Sequence, residues 1–173
     1  MGEAARREGR QRLEIHRLSP GDVGLLQAHF LRLDPVTRYE RFGMSVNDNF
    51  LMRYAAHCFD GGDLVFGYFA EGVLRGAGEL RGLGRSKVHE AAEAAFSVEK
   101  AWRGRGAASA LLDRTIETAH EIGAKTLFIT CVAQNRAMQK LVRGCGRQWR
   151  ESFSDNAYFA VLDLVEAPGA LRG

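Results

Sequence analysis

The spacing of apolar residues changes several times along the chain, and each change predicts a new element of secondary structure. Three helical segments come first. One begins after Pro20 and Asp22, one begins near Asp34 and Pro35, and the third reads NFLMRYAAHCF. Proline and an acidic residue at a helix start fit its unpaired N–H groups, so the first two starts have a physical basis.

Shorter runs rich in apolar residues predict strands, because they alternate or are bounded by turn residues. The predicted strands are residues 13–18, 64–70, 73–81, 92–99, 125–132, 149–154 and 157–165. Two further helices are predicted, from about 105 to 122 and from Asn135 onward. This order combines hairpins with a strand–helix–strand crossover, and so it predicts a mixed α/β (α+β) sheet, mostly antiparallel, of six to seven strands and four or five helices.

Length and composition fit one globular domain of 173 residues, with 46% hydrophobic and 26% charged residues. We expect the domain at residues 12–166, between flexible tails at 1–11 and 167–173. No apolar run is long enough to cross a membrane, and the charged N-terminus does not resemble a secretory signal. A net charge of +3 without a basic stripe does not predict nucleic-acid binding. Three widely spaced cysteines indicate reduced thiols, no metal site and a cytoplasmic location.

The most informative stretch is FSVEKAWRGRGAASALL, residues 96–112, where a strand leads through a glycine loop into a helix. One face of this helix is apolar over about four turns: Ala108, Leu111, Leu112, Thr115, Ile116, Ala119 and Ile122. Its first turn carries only glycine and small residues. Free N–H groups and the positive end of the helix dipole would together bind an anion there.

From the residues alone, three interpretations of the glycine loop compete. A phosphate-binding P-loop requires G-x-x-x-x-G-K-[ST], which is absent. A dinucleotide-binding fingerprint requires a third glycine or alanine where Ser109 stands, and an acidic residue about 20 positions later is also missing. The third interpretation is a glycine-rich connection that binds nothing.

The string RGRGAA, residues 103–108, matches R/Q-x-x-G-x-G/A and resembles the pyrophosphate loop of the GNAT superfamily of N-acetyltransferases. The similarity extends over about residues 64–146, since a strand ending in Val98 precedes the loop and an Asn-led helix follows the next strand. The stretches AEAAFSVEKAWRGRG, NRAM and LDPVTRYERF resemble the GNAT domain of bacterial protein-lysine acetyltransferases in particular.

The resemblance implies a GNAT-like fold and acetyl-CoA as co-substrate. Backbone amides of the loop would hold the pyrophosphate, the strand before it would run beside the pantetheine, and an asparagine would contact the cofactor. The implied cofactor-binding residues are Phe96, Ser97, Val98, Arg103, Gly104, Arg105, Gly106, Ala107, Ala108 and Asn135. Asn135 is also expected to cap its own helix.

Two catalytic roles are implied on the strand before the loop. Glu93 occupies the place of a glutamate that removes a proton from the acceptor amine, although a solvated strand glutamate is the plain alternative. Glu90 and Glu79 are weaker candidates. A backbone N–H at a bulge near Ser97 or Val98 would donate to the oxyanion.

One family feature is missing. Many GNAT enzymes carry a tyrosine acid seven residues after the asparagine, and this position is Val142 here. The family's Gly-Phe after this helix is also changed, to Gly146-Arg147. Tyr158 and Cys145 could supply the proton instead, although a structural role is the plainer interpretation for both.

The resulting hypothesis is an N-acetyltransferase that moves an acetyl group to a primary amine, of a protein lysine or a small molecule, in a ternary complex. The segment 34–59, with Tyr39, Arg41 and Phe42, would form part of the acceptor wall. The alternative is a non-catalytic acyl-CoA-binding regulatory protein, and a dinucleotide-binding protein ranks third. By analogy with such domains, a homodimer is expected.

Overall fold

The computed structural model describes residues 14–85 and 90–165 of the chain. The predicted tails, residues 1–11 and 167–173, lie outside these ranges. All the elements below belong to the described residues.

Seven strands form one sheet, which confirms the predicted mixed α/β class. They are β1 (Glu14–Arg17), β2 (Leu64–Ala70), β3 (Val73–Arg81), β4 (Ala91–Val98), β5 (Thr126–Val132), β6 (Arg150–Ser154) and β7 (Ala157–Asp163). Their order across the sheet is β1-β2-β3-β4-β5-β7-β6. Among these pairs β4 and β5 run parallel, and the other neighbours run antiparallel.

Five α-helices accompany the sheet, as the sequence predicted: α1 (Val23–Arg32), α2 (Pro35–Phe42), α3 (Asp48–His57), α4 (Ala107–Glu121) and α5 (Arg136–Gly144). The start of α2 is capped by Asp34, whose Oδ1 accepts from the N–H groups of Val36 and Thr37 at 3.1 Å each. Gly43 ends it in the left-handed conformation at φ 72°. None of the described helices is long and apolar enough to cross a membrane.

Hydrophobic residues pack on both faces of the sheet. On one face, α4 buries Leu111, Leu112 and Ile116 against alternate residues of β4. On the other face, α1 and α3 cover β2 and β3. Along β4, even-numbered side chains such as Phe96 therefore point toward α4, and odd-numbered side chains such as Ser97 point toward α1.

The buried face of α1 does not include all of its apolar residues. Leu26 and Phe30 are buried, but Leu25 and Leu31 are exposed. The remaining core position of this face is taken by a polar residue, His29, which is completely buried. Its partners lie far away along the chain, so the local pattern could not reveal it.

Candidate active site

A wedge opens in the sheet where β4 and β5 separate. The two strands pair only from Ala91–Glu93 to Thr126–Phe128, although both continue for several residues. The N–H of Glu99 bonds to the carbonyl of Arg75 on the β3 side at 2.9 Å. Because successive residues of a strand direct their N–H groups to opposite sides, the N–H groups of Phe96 and Val98 point into the wedge.

The expected bulge in β4 is absent, so that prediction was wrong. Pairing between β3 and β4 is continuous from Gly76 with Val98 to Arg81 with Glu93. The wedge arises instead because β5 leaves β4, which needs no extra residue in the strand. By the same alternation, the N–H of Ser97 points toward β3, away from the wedge.

A cavity of about 440 Å³ lies along the wedge and the glycine loop, and we call it the loop cavity. It brings together most of the residues predicted to bind the cofactor: Phe96, Ser97, Val98, Arg103, Gly104, Gly106, Ala107, Ala108 and Asn135. Arg105 is not among its lining residues; its guanidinium carbon lies 4.5 Å from the ring centre of Trp102, which does line the cavity.

The start of α4 leaves its first-turn N–H groups open toward this cavity. Gly106 is the N-cap residue, at φ 85°, and no side chain caps the helix. Gly104 is also left-handed, at φ 73°, a conformation that glycine adopts without steric cost. The N–H groups of Ala107, Ala108 and Ser109 have no acceptor within the helix by their position. The helix start therefore has the chemistry of an anion site.

The side chain of Arg103 serves the loop rather than the anion. Its Nε donates to the carbonyl of Val98 at 3.2 Å, and its Nη2 donates to Oγ1 of Thr37 at 2.8 Å. Glu40 lies 3.4 Å from the same nitrogen. These contacts fasten the glycine loop to β4 and α2, so Arg103 contributes its backbone to the cavity more than its charge.

Asn135 caps α5, as predicted. Its Oδ1 accepts from the N–H of Met138 at 2.9 Å. The residue is buried and also lines the loop cavity. This cap uses the amide oxygen, and the amide nitrogen takes no part in it.

A second cavity, of about 470 Å³, is bordered by Tyr39, Phe42, Phe50 and Tyr54, and we call it the aromatic cavity. Glu93 lines it, and its carboxylate is partly exposed and lies 3.8 Å from Arg81. The segment 34–59 thus does supply one wall of a cavity that contains the predicted base.

The other two glutamates are committed elsewhere. Glu79 is buried; its Oε1 accepts from Nη2 of Arg41 and its Oε2 accepts from the hydroxyl of Tyr54, both at 2.6 Å. Burial and then the Glu79 carboxylate raise the pKa of Tyr54, so its phenol stays a donor. Glu90 is exposed and lies 3.1 Å from Lys125. Of these three glutamates, Glu93 lines the aromatic cavity, and Glu79 and Glu90 line neither cavity.

A buried histidine network, which sequence reasoning missed, supports the end of β4. Nε2 of His29 lies 2.9 Å from Oγ of Ser97, and its Nδ1 lies 3.2 Å from the Glu99 carboxylate. Arg32 and Arg75 also pair with Glu99, at 2.9 and 3.0 Å. Burial lowers the pKa of His29. A neutral imidazole therefore donates a hydrogen bond from Nδ1 to Glu99 and accepts one at Nε2 from the Ser97 hydroxyl.

This network predicts that stability falls in mild acid. The pKa of His29 is below its ordinary 6.5 in the folded protein, so the unfolded chain binds more protons as the pH drops through that value. We expect the free energy of unfolding to decline below pH 6.5, by at most about 1.4 kcal/mol per pH unit from this residue. The pKa of Glu99 is also lowered, so its protonation reduces the free energy of unfolding only at more acidic pH.

Chemical unfolding between pH 5 and 8 at constant ionic strength measures this dependence. His29→Gln should flatten the decline between pH 6.5 and 5, because Gln cannot titrate. His120→Gln, which changes an exposed histidine on α4, is the control for loss of a histidine. An unchanged slope in His29→Gln would contradict the prediction.

Both cavities lie away from Val142 and from the two candidate replacement acids, Tyr158 and Cys145. Val142 is fully buried in the core beside α4. The hydroxyl of Tyr158, also buried, donates to Glu151 at 3.1 Å. The sulfur of Cys145 accepts from the indole N–H of Trp149 at 3.1 Å. Neither residue lines the loop cavity or the aromatic cavity.

All three cysteines are free thiols. Cys131 lines the aromatic cavity, and burial raises the pKa of its thiol to about 11, which keeps it protonated near neutral pH. Within residues 14–85 and 90–165, no three His, Cys, Asp or Glu side chains come together as metal ligands.

Comparisons with known proteins agree with this architecture. Residues 29–146 match the model of the acetyltransferase (GNAT) family. The GNAT domain of PAT from S. lividans is similar, with a TM-score of 0.71 and 22% identity over 87% of this chain and 90% of that one. A search among curated proteins finds no match.

Two similar structures were solved with acetyl-CoA. The yncA protein of Salmonella typhimurium has a TM-score of 0.67 and 17% identity, over 92% of this chain and 99% of that one. A phosphinothricin acetyltransferase from Sinorhizobium meliloti has a TM-score of 0.67 and 14% identity, over 90% of each chain. At these identities the structures show a common fold, whereas the family model matches most of the sequence itself. The chain therefore belongs to the GNAT family of acetyltransferases.

Proposed function

We propose that this protein transfers an acetyl group from acetyl-CoA to a primary amine, by direct attack in a ternary complex. The observation that carries the proposal is the wedge between β4 and β5, with an uncapped helix start at the loop cavity and Glu93 in the aromatic cavity. Together these features offer a site for the donor and a site for the acceptor.

The residues of the loop cavity suit acetyl-CoA. The N–H groups at the start of α4 are available for a pyrophosphate, and a side chain at Gly104 or Gly106 would intrude on it. The outward N–H groups of Phe96 and Val98 can pair with the amides of a pantetheine arm as an added strand would. Two similar proteins have structures with acetyl-CoA bound, which supports this choice of donor.

The proposal assigns the role of the base to Glu93, which lines the aromatic cavity. An alkylammonium group, with a pKa of about 10.4, must lose a proton before it can attack a thioester. Glu93 accepts this proton, directly or through water, and passes it to solvent, and the neutral amine nitrogen then bonds to the carbonyl carbon. The nitrogen loses its second proton by the same route as the amide forms. An N–H of Phe96 or Val98 donates to the oxygen as it becomes negative. When the C–S bond breaks, its electron pair leaves with the sulfur of CoA.

The acceptor is a primary amine, either of a protein lysine or of a small molecule. The aromatic cavity offers rings for an alkyl stem and the Glu93 carboxylate for its charged end. A homodimer and a cytoplasmic location belong to the same proposal, on the grounds given by the sequence.

A second candidate is a non-catalytic regulator that binds acyl-CoA. It is favoured by Val142, because a buried aliphatic side chain cannot supply the acid that many related enzymes use. Both candidates require the loop cavity, and only the enzyme requires Glu93 to react.

The test is thermal unfolding with and without acetyl-CoA, followed by an amine screen that measures CoA thiol release. At 100 times its dissociation constant, a ligand adds about 2.7 kcal/mol to the stability of the folded state. We expect a clear rise in Tm with acetyl-CoA and a smaller one with NADH. No rise would contradict acetyl-CoA binding, and a rise without turnover on any amine would favour the regulator.

A further inference from the structure

Arg41 occupies the place where the two cavities come together. Among the described residues, only Arg41 lines both the loop cavity and the aromatic cavity. Its side chain is only 8% exposed. A buried cation at such a junction carries a desolvation cost and needs a compensating partner.

The compensation comes from Glu79 and Tyr54, and both contacts use one nitrogen. Nη2 of Arg41 lies 2.6 Å from the Glu79 carboxylate and 2.6 Å from the hydroxyl of Tyr54. Within the part of the chain that the structure describes, Nε of Arg41 has no hydrogen-bond partner although it is buried. The guanidinium is therefore anchored at one nitrogen and keeps donor capacity that the protein itself does not use.

Arg41 remains charged throughout any reaction at this junction. Burial alone would lower its pKa, but the Glu79 carboxylate and Tyr54 raise the pKa overall. The group can therefore stabilise a negative charge, and it cannot serve as an acid. The ring faces of Phe42 and Tyr54, whose centres lie 4.9 and 5.4 Å from its guanidinium carbon, hold it in position.

The position of Arg41 relative to the helix start identifies the group it would meet. In the proposed function, on which this inference rests, the phosphates lie at Gly104 and Gly106, and the thioester is the end of acetyl-CoA farthest from them. The acyl carbon must lie where an amine from the aromatic cavity can reach it. Arg41 is the residue that borders both spaces.

Two atoms of the thioester gain negative charge during transfer. The N–H groups of Phe96 and Val98, which point into the wedge, can donate hydrogen bonds to the oxygen. The sulfur has no acid at Val142. We propose that Arg41 stabilises the CoA thiolate as it departs, in place of an acid that would protonate it. The C–S bond breaks with its electron pair on sulfur. The nitrogen of the tetrahedral intermediate loses its remaining extra proton to Glu93, which has already passed the ammonium proton to solvent, and Arg41 keeps its own protons.

Arg41→Lys is the sharpest test, because it keeps a cation for Glu79 but removes the planar guanidinium and its spare donors. We expect the dissociation constant for acetyl-CoA to stay within about threefold, and turnover to fall about 100-fold, the loss typical when one such donor is removed. Arg38→Lys is the matched control. Arg38 lies on the same helix, bonds to the carbonyls of Leu31 and Leu33, and lines neither cavity.

A spectroscopic readout separates this role from a structural one. The ultraviolet absorbance of the thiolate reports the titration of CoA bound to the protein. In the wild type and in Arg38→Lys we expect the thiol to titrate at least one pH unit below the value of free CoA measured in the same buffer. In Arg41→Lys it should return close to that value.

Equal titration curves in wild type and Arg41→Lys would overturn the inference, and so would unchanged turnover. If Arg41→Lys does not fold, the double variant Arg41→Gln/Glu79→Gln removes both charges and leaves no buried charge unpaired. In this double variant too, the thiol of bound CoA is expected to titrate close to the value of free CoA. Failure of acetyl-CoA to bind the wild type would instead overturn the proposed function itself.

Discussion

Replacing Gly106 with glutamate is expected to weaken acetyl-CoA binding at least 100-fold while the protein stays folded. The new carboxylate would stand at the N-cap of α4, beside the N–H groups of Ala107 and Ala108. It would occupy the anion site and repel the pyrophosphate. A non-glycine residue at φ 85° adds backbone strain of about 1–2 kcal/mol, which a carboxylate at a helix N-terminus partly offsets.

Gly123→Glu is the matched control for Gly106→Glu. Gly123 follows the same helix at its other end, adopts φ 79°, and has nothing within 4 Å of an added Cβ. The control therefore introduces the same residue and similar strain away from the cavity. Calorimetric titration with acetyl-CoA measures both variants, and equal losses of affinity in the two would contradict a specific role for the loop.

The elements with local signals were predictable from the sequence. The apolar face of α4 follows a helical period, and its central residues Leu111, Leu112 and Ile116 are buried as predicted. The Asp34 cap and Gly43 stop of α2 depend on residues within a few positions of each other. The glycine loop is local as well, so the sequence was enough to assign most of its residues to one cavity.

The polar networks could not be predicted, because their partners are distant in sequence. His29 meets Ser97 and Glu99 from 68 and 70 residues away, and Arg41 meets Glu79 from 38 residues away. A histidine or glutamate in an amphipathic segment shows no local sign of such partners. This is why the sequence could not separate Glu79, whose carboxylate is fully paired, from Glu93, whose carboxylate faces a cavity.

The wedge shows a different limit of sequence reasoning. A strand sequence specifies which side chains alternate between faces, and β4 follows that alternation. The point where β5 leaves β4 depends on how each strand pairs with its other neighbour, β3 for one and β7 for the other. The expected bulge would have been a feature of one strand, whereas the wedge depends on strand pairing across the whole sheet.

Glu93→Gln is expected to lower kcat by about 100- to 10,000-fold, the range typical for loss of a general base, with acetyl-CoA affinity kept within about twofold. Glutamine keeps the size of the side chain in the aromatic cavity but cannot accept a proton. The deficit should narrow as the pH rises toward the amine pKa of about 10.4, because the acceptor then loses its proton to water without help. A purely structural defect would not narrow in this way.

Glu90→Gln is the control for this variant, since it makes the same change three residues earlier on an exposed carboxylate paired with Lys125. Rates of CoA thiol release, measured from pH 7 to 9.5 with a responsive amine, give both profiles. Glu93 also lies 3.8 Å from Arg81, so Arg81→Gln shows separately what loss of that contact does. If Glu93→Gln matches wild type at every pH, Glu93 is a strand glutamate at the cavity wall, and the proton leaves the amine by another route.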